Sequence, residues 1–257
     1  MDILSHTSDP WSGLRALTEA RIALGRTGGS LTTAEVLDFR LAHAAARDAV
    51  LTPFDPHALA DEILALGTGV FTVASAAADR AQYLQRPDSG RRLSEESRAA
   101  LTDFAAGRPP VDLVIIAADG LSTQAVRQIV PLLRGLLPAL QAAGWELAPV
   151  IVARQARVAL QDEIGALLQA RLSLILLGER PGLGSADSLG AYFTWDPRPG
   201  RSDAERNCLS NIRAAGLPPG AAAGRLFHLL TESRRLGLSG TALKDETLPP
   251  GLQPRRD

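Results

Sequence analysis

Apolar residues recur at helical spacing in the first quarter of the chain. They do so through LDFRLAHAAARDAV, and ahead of them Thr32 and Glu35 have the spacing of a capping box, in which each side chain satisfies a backbone donor. A second helix is predicted to begin at Asp55 and Pro56, because aspartate caps a first turn and proline suits its first position. Gly67 and Gly69 are then expected to end this helix. The pattern predicts a small helical N-terminal domain, residues 1–66.

Five short apolar runs in the rest of the chain predict β-strands. They are Val70–Ala74, Leu113–Ala117, Leu147–Val152, Leu172–Leu177 and Ala191–Trp195. Nearly continuous apolar runs are typical of strands buried on both faces of a parallel sheet. Alternation with helical patterns predicts an α/β fold with right-handed crossovers. Residues 67–257 are therefore expected to form a Rossmann-like layered domain with a mostly parallel sheet, ending in a loose tail over about 246–257.

Three helices are predicted within this second domain. Ser122 or Thr123 is placed to cap the first, which Pro131 and Pro138 must bend or divide because proline lacks the backbone N–H that a helix interior uses. The other two are Gln155–Ala170 and Ala221–Leu236. The helix at Gln155 is expected to be a crossover between strands of the parallel sheet.

The composition excludes several classes of protein. Among 257 residues, 27 Lys+Arg nearly balance 28 Asp+Glu, which argues against binding nucleic acid through counterion release. One cysteine excludes a disulfide framework, and four histidines and one methionine leave few ligands for a transition metal. No apolar run is long enough for a membrane span, and no secretory signal is visible. A cytoplasmic protein is expected, with no nucleic-acid or membrane partner.

Polar residues follow two of the predicted strands. Asp119 and Gly120 end one of them, and the segment 178–182 ends another. Ligands of open α/β sheets bind outside the carboxyl ends of the strands. Glu179 therefore has two interpretations that the spacing leaves equally open: it binds a ligand, or it pairs with Arg180 to fix the loop.

The loop GLGSAD has part of a dinucleotide-binding motif. Gly182 and Gly184 form a G-x-G pair, but Asp187 stands where the third glycine is required. Three residues also separate the predicted strand from the glycines, and no P-loop motif is present. We interpret the loop as a turn, and a free-standing nicotinamide-nucleotide enzyme with a Rossmann-like fold is kept as the alternative function.

Histidine and cysteine offer no evident catalytic site. The segment around His57 is similar to the D-x-H-x-x-G motif of some cobalamin proteins, but Ala60 replaces its glycine, so we interpret His57 as a surface residue. His43 and His228 lie in predicted helices without the spacing of a zinc site. No histidine lies near Cys208 in the sequence, which favours a small buried hydrophobe over a nucleophile. The G-x-S-x-G motif of a hydrolase triad is also missing.

Six segments, in the same order, resemble the small (light) subunit family of ethanolamine ammonia-lyase. They are RIALGRTGGSLTTAEVLDFRLAHAAARDAV, RPDSGRRL, VIIAADGLS, RVALQDEIG, LGERPGLGSADSLGAYFTW and RNCLSNIRAAG. The combination of GERPGL with DSLG, followed further on by RNCLSNI, is the most specific part. The resemblance extends from about Arg21 to about Asp245.

The resemblance implies an adenosylcobalamin-dependent lyase that converts ethanolamine to acetaldehyde and ammonia. In this family the large (heavy) subunit carries the substrate-binding barrel and the radical chemistry, while the small subunit closes an α/β domain over the cobalamin at the subunit interface. The chain is then one part of a hetero-oligomer and inactive alone, since the cofactor does the chemistry and the protein supplies enclosure. Location in a bacterial microcompartment is left open. A structural subunit with a decayed pocket is the remaining alternative.

The family's cobalamin contacts carry over, by resemblance, onto three positions: Val158 in RVALQDEIG, Glu179 in LGERPG and Cys208 in RNCLSNI. Glu179 is expected to accept hydrogen bonds from corrin amides or the nucleotide loop, and the other two to make close apolar contacts. No catalytic residue and no metal ligand is expected in this chain. The missing glycine at Ala60 fits a family that resembles the class keeping cobalamin's own benzimidazole on cobalt.

Overall fold

The computed structural model describes residues 9–18 and 20–245, so the predicted tail at 246–257 lies outside the described residues. The α-helices are α1 (Thr33–Leu51), α2 (Pro56–Leu64), α3 (Arg80–Gln85), α4 (Glu95–Ala105), α5 (Ile129–Ala142), α6 (Leu160–Leu167) and α7 (Pro219–Leu236). The strands are β1 (Arg26–Thr27), β2 (Ser30–Leu31), β3 (Val70–Ala74), β4 (Val111–Ala118), β5 (Val150–Arg154), β6 (Ala170–Gly178), β7 (Leu189–Trp195) and β8 (Arg206–Ile212). Short 3₁₀ turns cover Ser12–Leu17, Ser89–Arg91, Thr123–Gln128, Asp203–Glu205 and Gly240–Ala242.

Six of the strands form one mixed sheet in the order β3-β5-β4-β6-β7-β8. The first four in that order are parallel, while β7 runs antiparallel to both β6 and β8. The predicted α/β class with a mostly parallel sheet is therefore confirmed. All five predicted strands are present, although β5 begins at Val150, later than predicted, and β8 was not predicted.

Both faces of the central strands are buried, as the continuous apolar runs indicated. Along β4, Leu113 and Ile115 join one hydrophobic cluster, and Val114 and Ile116 join the other. Side chains of α2, α5 and α7 complete the first cluster, and side chains of α4 and α6 complete the second. Since Ile63 of α2 is fully buried against the sheet, this helix packs with the second predicted domain. The boundary at residue 66 stays a prediction.

At two predicted helix starts a short polar side chain caps the first turn, as expected. The Thr32 hydroxyl accepts from the backbone N–H of Glu35, while the Thr32 N–H donates to Gly25 instead of the glutamate. Asp55 accepts from two backbone N–H groups of α2, as predicted. No helix among the described residues is both long and apolar enough to cross a membrane.

The predicted cap of the helix before α5 is wrong. The Ser122 and Thr123 hydroxyls donate to the carbonyls of Ala186 and Ala49, so neither caps a helix. The chain enters α5 through a 3₁₀ turn, and α5 continues through Pro138, so this proline does not divide the helix, and a bend there stays a prediction.

The predicted helix Gln155–Ala170 is also too long. Gln155 has a positive φ of 58° and Ala170 already begins β6, which leaves eight residues for α6.

Candidate functional site

The carboxyl ends of β4, β5 and β6 lie side by side and bring the predicted polar residues together. Asp119 follows β4, the loop with Val158 follows β5, and Glu179 follows β6. Strands β4 and β6 are direct neighbours, paired through Ala118 and Leu177. The two polar strand ends found in the sequence therefore meet at one edge, as the rule for open sheets predicts.

A cavity of about 420 Å³ opens at this edge. Val158 and Glu179 both line it, together with Leu121, Arg157 and Tyr192. Val158 and Glu179 are each half-buried, so both side chains keep a surface that a ligand can contact. Two of the three predicted cofactor contacts thus share one cavity.

Glu179 holds three strands together through its carboxylate. Oε2 accepts from the Ser188 hydroxyl at 2.6 Å and from the backbone N–H of Asn211 at 3.1 Å. Oε1 accepts from the Ser210 hydroxyl at 2.7 Å and from the Tyr192 hydroxyl at 3.4 Å. The pairing of Glu179 with its neighbour in sequence, Arg180, is not among the ion pairs of the described residues. The proposed pairing with Arg180 is therefore wrong, but Glu179 does fix the loop, to β7 and β8, and ligand binding by Glu179 stays a prediction.

Cys208, the third predicted contact, lies on β8 directly opposite Tyr192 of β7. It is exposed, so its interpretation as a buried hydrophobe is wrong. Partial desolvation nevertheless raises the pKa of its thiol to about 11, although interaction with Tyr192 lowers it. A thiol with that pKa stays protonated at neutral pH, which agrees with the prediction that Cys208 is not a nucleophile.

Tyr192 connects Cys208 to the cavity and was not predicted. Its hydroxyl interacts with the thiol and donates to Glu179. Burial, and then the negative charges that Cys208 and Glu179 can carry, raise the pKa of Tyr192, so the phenol remains a donor. The signal was present in the sequence, because strand alternation in LGAYFTW puts Ala191 and Phe193 on one face of the sheet and Tyr192 on the other.

Two arginines that stack on the ring of Tyr83 support the other wall of the cavity. Tyr83 is fully buried, with the guanidinium carbon of Arg157 4.3 Å and that of Arg80 4.9 Å from its ring centre. Its hydroxyl donates to the carbonyl of Ala156 at 2.9 Å, and Arg157 donates to the Tyr83 carbonyl at 3.0 Å. The loop that carries Val158 is thereby fixed in place.

Asp119 lies beneath the cavity and is not one of the residues that line it. Its oxygens accept from Arg80 at 3.1 Å and from the backbone N–H of Gln155 at 2.7 Å. Burial raises the pKa of Asp119 to about 6, and the opposing effects of Arg80 and of backbone donors are smaller. The residue fixes the neighbouring strand ends to each other.

The remaining motifs keep their structural interpretation. The GLGSAD loop joins the antiparallel strands β6 and β7, so no helix follows its glycines as a dinucleotide site requires. Asp187 in this loop accepts from Arg127 and Gln128, which holds the turn against the 3₁₀ turn before α5. Within the described part of the chain, no group of three or more His, Cys, Asp or Glu is arranged to hold a metal ion.

Comparison with known proteins matches nearly the whole chain to one family. A family model described as ethanolamine ammonia-lyase light chain (EutC) matches residues 8–244. The chain is 55% identical over 240 residues to the ethanolamine ammonia-lyase small subunit of Pseudomonas fluorescens (strain SBW25), covering 93% of this chain and 87% of that protein. It is 56% identical over 240 residues to the protein of the same name from Pseudomonas aeruginosa (strain LESB58), covering 93% and 88%. For the small subunit from Pseudomonas putida the identity is 54% over 249 residues, covering 96% and 92%.

Proposed function

The chain belongs to the ethanolamine ammonia-lyase light-chain family, and from this membership we propose that it is the small subunit that encloses adenosylcobalamin against a catalytic large subunit. The observation that carries the proposal is the cavity at the carboxyl edge of the sheet. Val158 and Glu179 line this cavity, and Cys208 is joined to it through Tyr192. These are the three positions expected to contact the cofactor.

The chemistry of the cavity fits a corrin ring. Such a ring is apolar across its face and carries amides around its rim, so it needs an apolar wall with a few donors and acceptors. Leu121 and Val158 provide the apolar wall, Arg157 and Tyr192 are donors, and Glu179 is an acceptor. The presence of an apolar wall with these polar groups also argues against a subunit with a decayed pocket.

Glu179 would bind the cofactor by exchanging partners. A carboxylate has about four acceptor sites, and those of Glu179 are already used within the chain. The bond from Tyr192 is long at 3.4 Å, and Ser210 is exposed, so its hydroxyl can turn to water. A corrin amide would take these two sites, while Ser188 and Asn211 keep the carboxylate in position.

The size of the cavity supports a partner subunit. Pockets of about 300–1,000 Å³ hold drug-sized ligands, so a cobalamin, with its ring and nucleotide tail, would extend well beyond 420 Å³. Another surface must then cover the rest of the cofactor. The chain also exposes apolar side chains on α1, where Leu37, Leu41 and Leu51 are 58%, 70% and 57% exposed and only Ala49 is buried. A helix this poorly covered is typical of a protein interface.

We propose that the side chains described at the cavity bind the cofactor and exclude water, and that none of them does acid–base chemistry on a substrate. When bound, adenosylcobalamin supplies the radical chemistry that converts ethanolamine to acetaldehyde and ammonia. The Cys208 thiol and the Tyr192 phenol remain protonated, and the Glu179 carboxylate is held by hydrogen bonds. We therefore propose that the large subunit holds the substrate and that the small subunit is inactive alone.

The isolated chain is expected to show no deamination of ethanolamine with adenosylcobalamin, and activity is expected to appear when the large subunit of the same organism is added. The measurement is acetaldehyde release, with each subunit alone as control. Turnover by the isolated chain would contradict the proposed division of roles. A mixture that forms a complex but binds no cobalamin would contradict the proposed function.

Glu179→Ala is expected to weaken cobalamin binding by the assembled complex by about tenfold, the usual loss for a hydrogen bond to a charged group. Absorbance titration with cyanocobalamin measures it. Because the same carboxylate joins β6 to β7 and β8, the thermal midpoint is measured in parallel. Ser210→Ala is the matched control, since it removes one donor and leaves the carboxylate in place. An unchanged titration for Glu179→Ala would remove this residue from the proposed site.

Several finer predictions remain part of this proposal. They are the Rossmann-like layering, the separate helical N-terminal domain, the hetero-oligomer, and a cytoplasmic location with a microcompartment left open. A free-standing nicotinamide enzyme is not supported, because the glycine loop lacks the helix that would bind a pyrophosphate.

A further inference from the structure

The side chain of Arg80 joins the end of α1 to the carboxyl edge of the sheet. Its Nε–H donates to the carbonyl of Val50, in the last turn of α1, at 2.9 Å. Its terminal nitrogens donate to Asp119 at 3.1 Å, to the carbonyl of Gly120 at 2.7 Å and to that of Leu121 at 3.0 Å. One guanidinium group thus bonds both a helix end and the segment that follows β4.

We propose that Arg80 is a positioning residue, through which docking of the large subunit on α1 orders the walls of the cofactor cavity. This inference rests on the proposed function and adds to it a link between the partner surface and the cavity. Arg80 acts through the residues that it bonds, and it is assigned no contact with the cofactor.

The end of α1 provides its attachment to the sheet. Ala49 is the one buried residue of this helix. Among the described residues, its hydrogen bonds to the α/β body come from Arg80 and from the hydroxyl of Thr123, which donates to the Ala49 carbonyl at 3.1 Å. The last carbonyls of a helix lack partners within it and carry a partial negative charge, so a guanidinium group stabilises them. A large subunit that covers α1 would bind this attached arrangement more tightly than a released one.

From Arg80 the contacts continue to both walls of the cavity. Its guanidinium carbon lies 4.9 Å from the ring centre of Tyr83, which lines the cavity. Leu121, whose carbonyl Arg80 bonds, lines it as well, and the Leu121 N–H donates to the carbonyl of Gly178 at 2.8 Å. Gly178 directly precedes Glu179. Since packed interiors transmit small shifts, a movement of Arg80 would reach both walls together.

The shape of arginine suits this set of bonds. Its N–H groups lie in one planar fork, and here they make four hydrogen bonds. A lysine would keep a positive charge beside Asp119, but its ammonium is a point charge that does not span the carbonyls of Val50 and Leu121 as the fork does. Arg80→Lys therefore separates the ion pair with Asp119 from the bridge to α1.

The test measures amide hydrogen exchange of the full chain with and without the large subunit, in the absence of cobalamin. In the wild type we expect exchange to slow in α1, which the partner covers, and by about tenfold at 119–123 and in α3, as for one hydrogen bond to a charged group. In Arg80→Lys, α1 should still be protected, while the slowing at 119–123 and in α3 falls to about threefold or less. Each variant is compared with its own free form, so a general loss of stability does not produce this pattern.

Titration of the assembled complex with cyanocobalamin is the second measurement. Arg80→Lys is expected to weaken binding about tenfold, because the walls of the cavity are no longer held by the partner. Arg98→Lys is the matched control, since Arg98 also bonds a carboxylate, that of Glu163, and a carbonyl, that of Leu93, and neither belongs to α1. The control should change neither the exchange pattern nor the titration.

Thr123→Val is a second variant that leaves the ion pair of Arg80 and Asp119 in place. It removes the other hydrogen bond to the end of α1, which joins two neutral groups. We expect it to lessen the slowing at 119–123 by about threefold, less than Arg80→Lys does. An equal or larger effect of Thr123→Val would assign the link to Thr123 and overturn the role of Arg80.

The other contrary outcomes differ in what they contradict. Equal slowing at 119–123 in Arg80→Lys and the wild type, or none in the wild type, would overturn the inference, because docking would then reach this segment directly or not at all. An unchanged titration for Arg80→Lys, or equal losses for Arg98→Lys, would overturn it too. A wild-type complex in which α1 stays unprotected is a separate result, since it would contradict the proposed partner surface itself.

Discussion

Asp162→Ala is expected to lower the free energy of unfolding by about 3–5 kcal/mol, the usual cost of removing one partner from a buried ion pair. Asp162 of α6 and Arg206 of β8 have side chains that are each 3% exposed, and both terminal nitrogens of the arginine bond the carboxylate. Arg206 also donates to Thr194 and to the carbonyl of Arg201. Without Asp162 the buried guanidinium would keep only the fully exposed Asp203 as a counter-charge, at 3.5 Å from its Nε.

Urea denaturation of the purified chain measures this change, with the slope checked for two-state behaviour. The double variant Asp162→Leu with Arg206→Met is expected to recover most of the loss, because an apolar pair replaces the buried ion pair without leaving a charge. Arg127→Gln, which breaks the largely exposed pair with Asp187, should change stability by about 0–1 kcal/mol. A loss for Asp162→Ala as small as that for Arg127→Gln would show that the pair is not a fixed link between α6 and β8.

Gly178→Ala is expected to destabilise the protein by about 3 kcal/mol or more, because the added methyl group has no space. A Cβ at this position would lie 2.5 Å from the Asp119 carbonyl oxygen and even closer to that of Ser122. These are backbone atoms at the meeting point of β4 and β6, so no side chain can move aside. Gly120 opposite has a positive φ of 55° and is equally confined, with its Cβ position 2.7 Å from the Gly178 nitrogen.

Gly224→Ala is the matched control for this substitution. Gly224 lies inside α7 with no neighbouring atom within 4 Å of its Cβ position, so alanine should stabilise the helix by about 0.5–1 kcal/mol. Opposite signs for the two variants in urea denaturation are the expected result. Equal small effects would indicate that the strand ends are farther apart than described, and the site built on them would have to be revised.

The sheet could be predicted because its strands are buried on both faces. Val70–Ala74 is found with the predicted bounds, and the longer strands β4 and β6 contain the predicted runs. β8 could not be found in this way, since RNCLSNI buries Arg206, Leu209 and Ile212 while Cys208 and Ser210 are exposed. A strand at the edge of the sheet with polar side chains on its open face has no continuous apolar run.

The meeting of the polar strand ends could be predicted from the sequence, but the hydrogen bonds and stacking that connect them could not. The rule for strand ends located Asp119 and Glu179, and the resemblance added Val158 and Cys208. Tyr83 escaped prediction because α3 has six residues, too few for a helical period to be recognised. Its partners, Arg80 and Arg157, are far apart in the sequence and meet only in the folded chain.

We propose above all that the carboxyl edge of this sheet encloses cobalamin against a partner subunit. The most direct test is a cryo-electron microscopy map of the complex with the large subunit and cyanocobalamin. We expect the cofactor at the subunit interface, in contact with Val158, Glu179 and Cys208. A cofactor surrounded by the large subunit alone, or bound to another surface of this chain, would contradict the account.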